Sequence, residues 1–335
     1  MQRVCAPLAA ELLRRGITGL TIIPCGLLAA FPLSNILLDT GHTLGESVST
    51  SVAPSARALV QSASKQLRRA GVYTLGNPQP RSAPLHWSEV EALSLAKLAR
   101  RLNLDGYAKV QTAATRAWLI DALDKGYVVD ASCHGKFDHD DFRKSVLVLA
   151  RDQELSLGEL LSYQIDLRGL RLLLLSACQT MLLDLQGAVN QVRSLTSGVL
   201  QSRAQAALGS LWPVNDLATY LLMVRFAQEW FPHMDTEPPA CALARAQHWL
   251  RTITNRELSQ WGTMNVSGFS QHEHRKVGEK KTDNLILEAL GVSSERYDSE
   301  QANRLIRIVG AREDEPDKQP FQDPFYWAGF QITGW

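Results

Sequence analysis

The sequence predicts an α/β protein whose central, mostly parallel sheet is flanked by helices, and three observations carry that prediction. Short apolar runs alternate with helical patterns over much of the chain, the order expected of strands joined by crossover helices. The run LRLLLLSAC (170–178) holds four consecutive leucines, as in a strand covered on both faces. The chain has 335 residues, 45% hydrophobic and 21% charged, enough to bury a large core in a globular protein.

The elements follow in order. LTIIPCG (20–26) and GVYTLGN (71–77) read as strands, and SVSTSVAPSARAL (47–59) as a strand running into a helix. Ser88 and Glu91 have capping-box spacing for a helix ending near Arg101. A second helix is expected over 112–124, closed by Gly126. YVVDASCHG is a strand ending in Gly135, SVLVLA (145–150) is another, and Ser156 with Glu159 boxes the next helix. Behind the leucine run, Val189, Val192, Thr196 and Val199 recur at helical spacing. QAALGSLWPV (205–214) is a further strand and 216–230 a long helix. The pattern lapses over 252–320, where QHEHRKVGEKK and AREDEPDKQP are polar and charge-mixed around one helical stretch, 283–290. This is read as an insertion with partly ordered loops inside a single domain, 1–335. PFYWAGFQITGW then supplies a terminal strand.

Composition excludes several function classes. A formal net charge of +1 gives no reason to expect nucleic-acid binding. No apolar run approaches the roughly 20 residues that span a bilayer, so no membrane partner is expected. The opening MQRVCAPLAAELLRRG is amphipathic rather than signal-like. Five cysteines, odd in number, scattered and without a CxxC pair, argue for a reducing, cytoplasmic setting over a disulfide framework or zinc ribbon. Motifs of other hydrolases, G-x-S-x-G and H-E-x-x-H, and the Walker A loop are missing.

Two strands finish in reactive residues: one leads to Cys133, His134 and Gly135, the other to Cys178. In a parallel sheet such ends share an edge, where ligands and catalytic groups gather. An imidazole beside a thiol favours the nucleophilic thiolate and can protonate a leaving amine. Gly135, lacking a Cβ, lets its backbone N–H approach an oxyanion. The plainer reading makes Cys178 a buried strand end and His-Gly a turn. Cys133 is read as structural, its side chain opposite to that of His134 if the strand persists. A metal set of His134, Asp138, His139 and Cys178 has usable ligand types but no paired cysteines, and no metal or cofactor is expected.

CHG (133–135), LLLLSACQT (172–180), GSLWPVND (209–216) and PFYWAGF (324–330) resemble, in order, the signature blocks of CHAT domains. These are caspase-like cysteine peptidases related to separase (clan CD). LTIIPCGLLAAFPLSNIL resembles the family's N-terminal block, and APSARAL (53–59) and LGNP (75–78) its next two. Cys25 departs from that block, standing where the family usually has Asp. The resemblance implies a caspase-like three-layer fold and a cysteine endopeptidase with a Cys178–His134 dyad. It also implies an oxyanion hole from the N–H groups of Gly135 and Cys178. No third acid is implied.

GSLWPVND also resembles separase's corresponding segment, in which an acid receives a basic P1 side chain. On that resemblance Asp216 would select Arg or Lys before the scissile bond, with Trp212 a pocket wall. Asn215 or Asp216 equally suits a helix N-cap, Trp212 equally suits the core, and Asp138, Asp140 and Asp141 are rival acids. The resemblance further implies a protein or peptide substrate and a latent state relieved by a regulatory protein or attached TPR-type repeats. A bacterial defence role is part of the same expectation. The alternative is a catalytically silent scaffold that binds a partner through its cleft.

Overall fold

The computed structural model describes residues 2–62, 71–79, 85–136, 138, 140–162, 165–176, 194–267 and 315–335. The strands in chain order are β1 (Gly19–Ile22), β2 (Ser49–Val52), β3 (Gly71–Gly76), β4 (Asp105–Val110) and β5 (Val128–Ser132). They continue with β6 (His134–Lys136), β7 (Val146–Leu149), β8 (Gln153–Ser156), β9 (Leu172–Leu174), β10 (Ala206–Ser210) and β11 (Phe330–Gly334). Among the described residues, eight form one sheet in the order β1-β2-β11-β10-β9-β5-β3-β4, and β6-β7-β8 form a separate three-stranded one. Every pairing in the large sheet is parallel except β10 with β11. The strands from β10 to β4 therefore present their carboxyl ends at one edge.

Helices cover both faces. The helices in chain order are α1 (Gln2–Arg14), α2 (Leu44–Ser47), α3 (Ala56–Ser62), α4 (His86–Arg101), α5 (Arg116–Lys125) and α6 (Leu157–Leu161). Then come α7 (Leu195–Gln201), α8 (Asp216–Trp230), α9 (Pro239–Thr252) and α10 (Asn255–Ser267). Side chains alternate across a strand. On one face Leu75, Val129, Ala131, Leu173 and Ala207 join a core with Leu119 and Leu123 of α5, Leu160 of α6 and Val199 of α7. On the other, Thr74 donates to the carbonyl of Ala92 in α4 at 2.7 Å, and α8 packs beside α4. The predicted central sheet flanked by helices is the observed arrangement.

Helix α4 lies so close to the sheet that two glycines are required. A Cβ on Gly76 would stand 2.3 Å from the carbonyl oxygen of Ser88, and one on Gly106 would stand 2.2 Å from that of Ala96. Those backbone atoms belong to a packed helix and have nowhere to move. Gly76→Ala and Gly106→Ala are each expected to cost about 1–3 kcal/mol of stability, read as a lower denaturant midpoint.

Several expectations need correction. Helix α4 begins at His86 behind Leu85 with no side-chain cap, because the proposed cap residues are engaged elsewhere. Ser88 Oγ accepts the N–H of Asn77 at 2.8 Å and donates to the Leu85 carbonyl at 3.0 Å, while Glu91 turns into the interior. The second helix, α5, starts later than 112 because Thr115 caps it, accepting the N–H of Trp118. Strand β4 was not foreseen. The strand over YVVDASCHG breaks at Cys133, and β6 leaves for the smaller sheet, where His134 pairs with Val148. The boxes at Ser156 (α6), Asn215 as the cap of α8, and β11 stand as observed elements. Val189, Val192 and the 283–290 helix lie outside the described residues.

The chain divides into two compact units, Met1–His248 with Phe325–Trp335, and Trp249–Pro324. In the second, Trp249 stacks at a tilt on Trp261 with centroids 5.3 Å apart, and Asn255 Nδ2 donates to the Glu315 carbonyl. Among the described residues no helix is long and apolar enough to cross a membrane.

Candidate active site

Strands β5 and β9 are direct neighbours, parallel, with Val128, Val129 and Asp130 opposite Leu172, Leu173 and Leu174. His134 follows Asp130 by four residues and Cys178 follows Leu174 by four. The two candidate residues thus extend from one registered pair by equal lengths of chain. His134 and Gly135 are half-buried at the start of β6. Cys178 lies outside the described residues. Cys133 is buried completely, in the core with Ala131 and Leu147, which fits the structural role expected of it.

A pair of carboxyl groups lies beneath these strand ends. Asp130 of β5 and Glu91 of α4 are both buried. The Ser176 hydroxyl, two residues before Cys178, donates to Asp130 Oδ1 at 3.4 Å. Burial pushes the Glu91 carboxyl up to about 8, with the charge of Asp216 raising it further and hydrogen bonds from Ser176, Ser132 and Asp130 opposing the rise. Burial and the neighbouring Glu91 likewise hold Asp130 well above the ordinary carboxylate range. Glu91 Oε1 and Asp130 Oδ2 are buried without a hydrogen-bond partner, which disfavours the ionised forms of both groups. Asp130 and Glu91 are thus a buried carboxyl pair whose surroundings favour the protonated forms. Sequence reading missed it, although an aspartate inside the apolar run YVVDAS was the available signal.

Asp216 opens α8, six residues beyond β10 and at the same sheet edge. The cap itself is Asn215, whose side chain accepts the N–H of Ala218 at 3.0 Å. Asp216 Oδ2 accepts the N–H of Trp87 at 3.1 Å, placing its charge against the first turn of α4, where the helix dipole favours an anion. Trp87 in turn stacks on Tyr220 of α8, centroids 5.2 Å apart. Trp212 is half-buried: its Nε1 donates to the Phe325 carbonyl at 3.0 Å, and its ring fills the space where a Cβ on Gly329 would stand, 2.8 Å away. The GSLWPVND and PFYWAGF segments are therefore one packed unit.

Two of the rival acids, Asp138 and Asp141, have their carboxylates engaged within their own loop. Asp138 Oδ1 accepts the N–H groups of Asp140 and Asp141, and Asp141 pairs with Arg143. His139 lies outside the described residues. Among the described residues, the cluster with metal-ligating side chains is a different one, His42, Glu46 and His248.

The CHAT domain family matches residues 1–335. No curated protein matched the sequence. Solved structures similar to this chain include the complex of RgpB pro- and mature domains from Porphyromonas gingivalis, at 7% identity and TM-score 0.40, over 60% of this chain and 50% of that one. The Arg-specific cysteine proteinase gingipain R is similar at 9% identity and TM-score 0.39, over 59% of this chain and 49% of that one. The Saccharomyces cerevisiae separase–securin complex is similar at 11% identity and TM-score 0.43, over 69% of this chain and 14% of that one. This chain therefore spans about half the length of the gingipain chains and a small part of the separase chain.

Proposed function

Because the chain belongs to the CHAT domain family, we propose that it is a cysteine endopeptidase acting on a specific protein substrate through Cys178 and His134. The observation that carries this reading is the parallel β5–β9 register, from which both residues extend by equal lengths of chain. The Cys178 thiolate attacks the scissile carbonyl carbon, and the oxyanion is held by the N–H groups of Gly135 and Cys178. The imidazolium of His134 gives its proton to the departing amine as the C–N bond breaks, leaving a thioester. His134 then takes a proton from water, which hydrolyses the thioester and returns the thiolate. A latent state relieved by a regulatory protein or TPR-type repeats belongs to the same proposal.

At P1 a basic residue faces Asp216. The support is its half-buried carboxylate at the carboxyl edge of the sheet. Cleavage of peptide libraries varied at P1 tests both layers of the reading. Arg or Lys peptides are expected to be cut preferentially, and Asp216→Asn to cost about 2 kcal/mol or more of transition-state binding for them. Peptides with uncharged P1 should change little, which separates a pocket role from the loss of the Trp87 contact. Cleavage after Asp would overturn the pocket, and no cleavage under any activating condition would favour the scaffold reading.

A further inference from the structure

The turn DTGH and the short helix α2 bring two potential ligands together, and α9 brings a third. Gly41 adopts φ +81°, and the turn closes through Gly41 N–H to Leu38 O at 3.0 Å and Leu38 N–H to His42 O at 2.8 Å, which fixes the backbone of His42. Thr43 caps α2 in a full capping box, its N–H donating to Glu46 Oε2 at 2.9 Å. His248 follows Gln247, whose amide is tied to the carbonyls of Trp327 and Phe330, each at 2.9 Å. His42 Nδ1 lies 3.1 Å from Glu46 Oε2, and His248 Nδ1 lies 3.0 Å from Glu46 Oε1. The two rings stack at an interplanar angle of 23°.

The geometry points to a binding site for a divalent transition-metal ion of the zinc class, held by His42, Glu46 and His248 with water completing the set. One ligand atom from each residue lies within 4.8 Å of the others. Metal–ligand bonds of about 2.0–2.1 Å place tetrahedral ligands about 3.3 Å apart, and each histidine already stands near that distance from one of the two Glu46 oxygens. Imidazole nitrogen with a carboxylate oxygen is a donor set that suits zinc rather than calcium or magnesium. The bond from Thr43 fixes the carboxylate from behind, as outer partners do in metal sites. Glu46 is nearly buried, with 10% of its side chain exposed, whereas His42 and His248 are 59% and 45% exposed. The ion would thus enter from solvent and staple the segment after β1 to α9. This site is independent of the peptidase reading.

The test is calorimetric titration of the chelator-treated full chain with Zn²⁺ alone. Wild type is expected to bind one ion per chain and to gain thermal stability on binding. Cys178→Ala should bind identically, whereas Glu46→Gln and His248→Gln should bind about 100-fold or more weakly. Glutamine at 46 keeps the capping box, so that variant should fold. A second measurement needs no variant: Zn²⁺ should protect His42 and His248 of the wild-type chain from acylation by diethylpyrocarbonate, mapped by mass spectrometry. Absence of binding, binding lost in Cys178→Ala but not in Glu46→Gln, or no protection of the two histidines would overturn the proposal.

Discussion

Cys178→Ala is expected to abolish peptide cleavage, and His134→Ala to slow it about 10²–10⁴-fold. The physical reason sets a finer expectation. An unassisted thiol is mostly protonated near neutral pH, so losing the histidine removes the help toward the thiolate. It also removes the proton given to the leaving group, which an amine needs and a good alkoxide or phenolate leaving group does not. His134→Ala should therefore lose more activity on an amide substrate than on the matching ester. Part of its loss should return as pH rises and the thiol ionises by itself. Kinetics on an amide–ester pair across pH measure both. Equal losses on the two substrates would mean that His134 gives no proton to the leaving amine.

The buried pair Glu91 and Asp130 gives the second large effect, on stability. In the folded chain the Glu91 carboxyl holds its proton up to about pH 8, against 4.5 as its ordinary value. Between those values the unfolded chain has released a proton that the folded chain keeps, so stability falls as pH rises through that window. The contribution is full below pH 4.5 and lost by about pH 8. One proton released on unfolding gives a slope of about 1.4 kcal/mol per pH unit at its steepest. Glu91→Gln keeps the shape and removes the titration, so its denaturation midpoint should depend less on pH in this range. Glu91→Ala instead leaves Asp130 buried without its proton partner, at a cost of about 1–3 kcal/mol. Urea unfolding of wild type and both variants between pH 5 and pH 8 decides it, the window being that of the Glu91 shift. Identical slopes would show that Glu91 does not titrate there.

What could be read from the sequence was set by local pattern. The leucine run of β9 announces a strand buried on both sides, and all three of its residues are buried. The long helix after VND shows in its spacing, and Asn215 caps it. The box at Ser156 and Glu159 forms as spaced. The same spacing at Ser88 and Glu91 does not form, since Asn77 captures the serine and Asp130 lies opposite the glutamate in the interior. Local rules do not contain those distant partners. Edge strand β4 turns only Gly106, Ala108 and Val110 away from solvent, with Asp105, Tyr107 and Lys109 exposed, so its apolar signal was faint. The departure of His134 into a second sheet depends on pairing with Val148, again a long-range choice. Asp216 read as either cap or pocket acid; its bond to Trp87 was visible to neither reading. For His42 and Glu46, spacing alone brings two ligands onto one turn, but His248 is remote in sequence and joins them only in the fold.

The proposed dyad turns on which thiol reacts, and that is measured most directly by treating the purified chain with a peptidyl electrophile and mapping the modified residue by mass spectrometry. Cys178 alone should carry the label in wild type, with labelling strongly slowed in His134→Ala and faster for Arg than for Asp at P1. Modification of Cys133 or of the exposed Cys25 in place of Cys178, or a rate indifferent to His134, would contradict it.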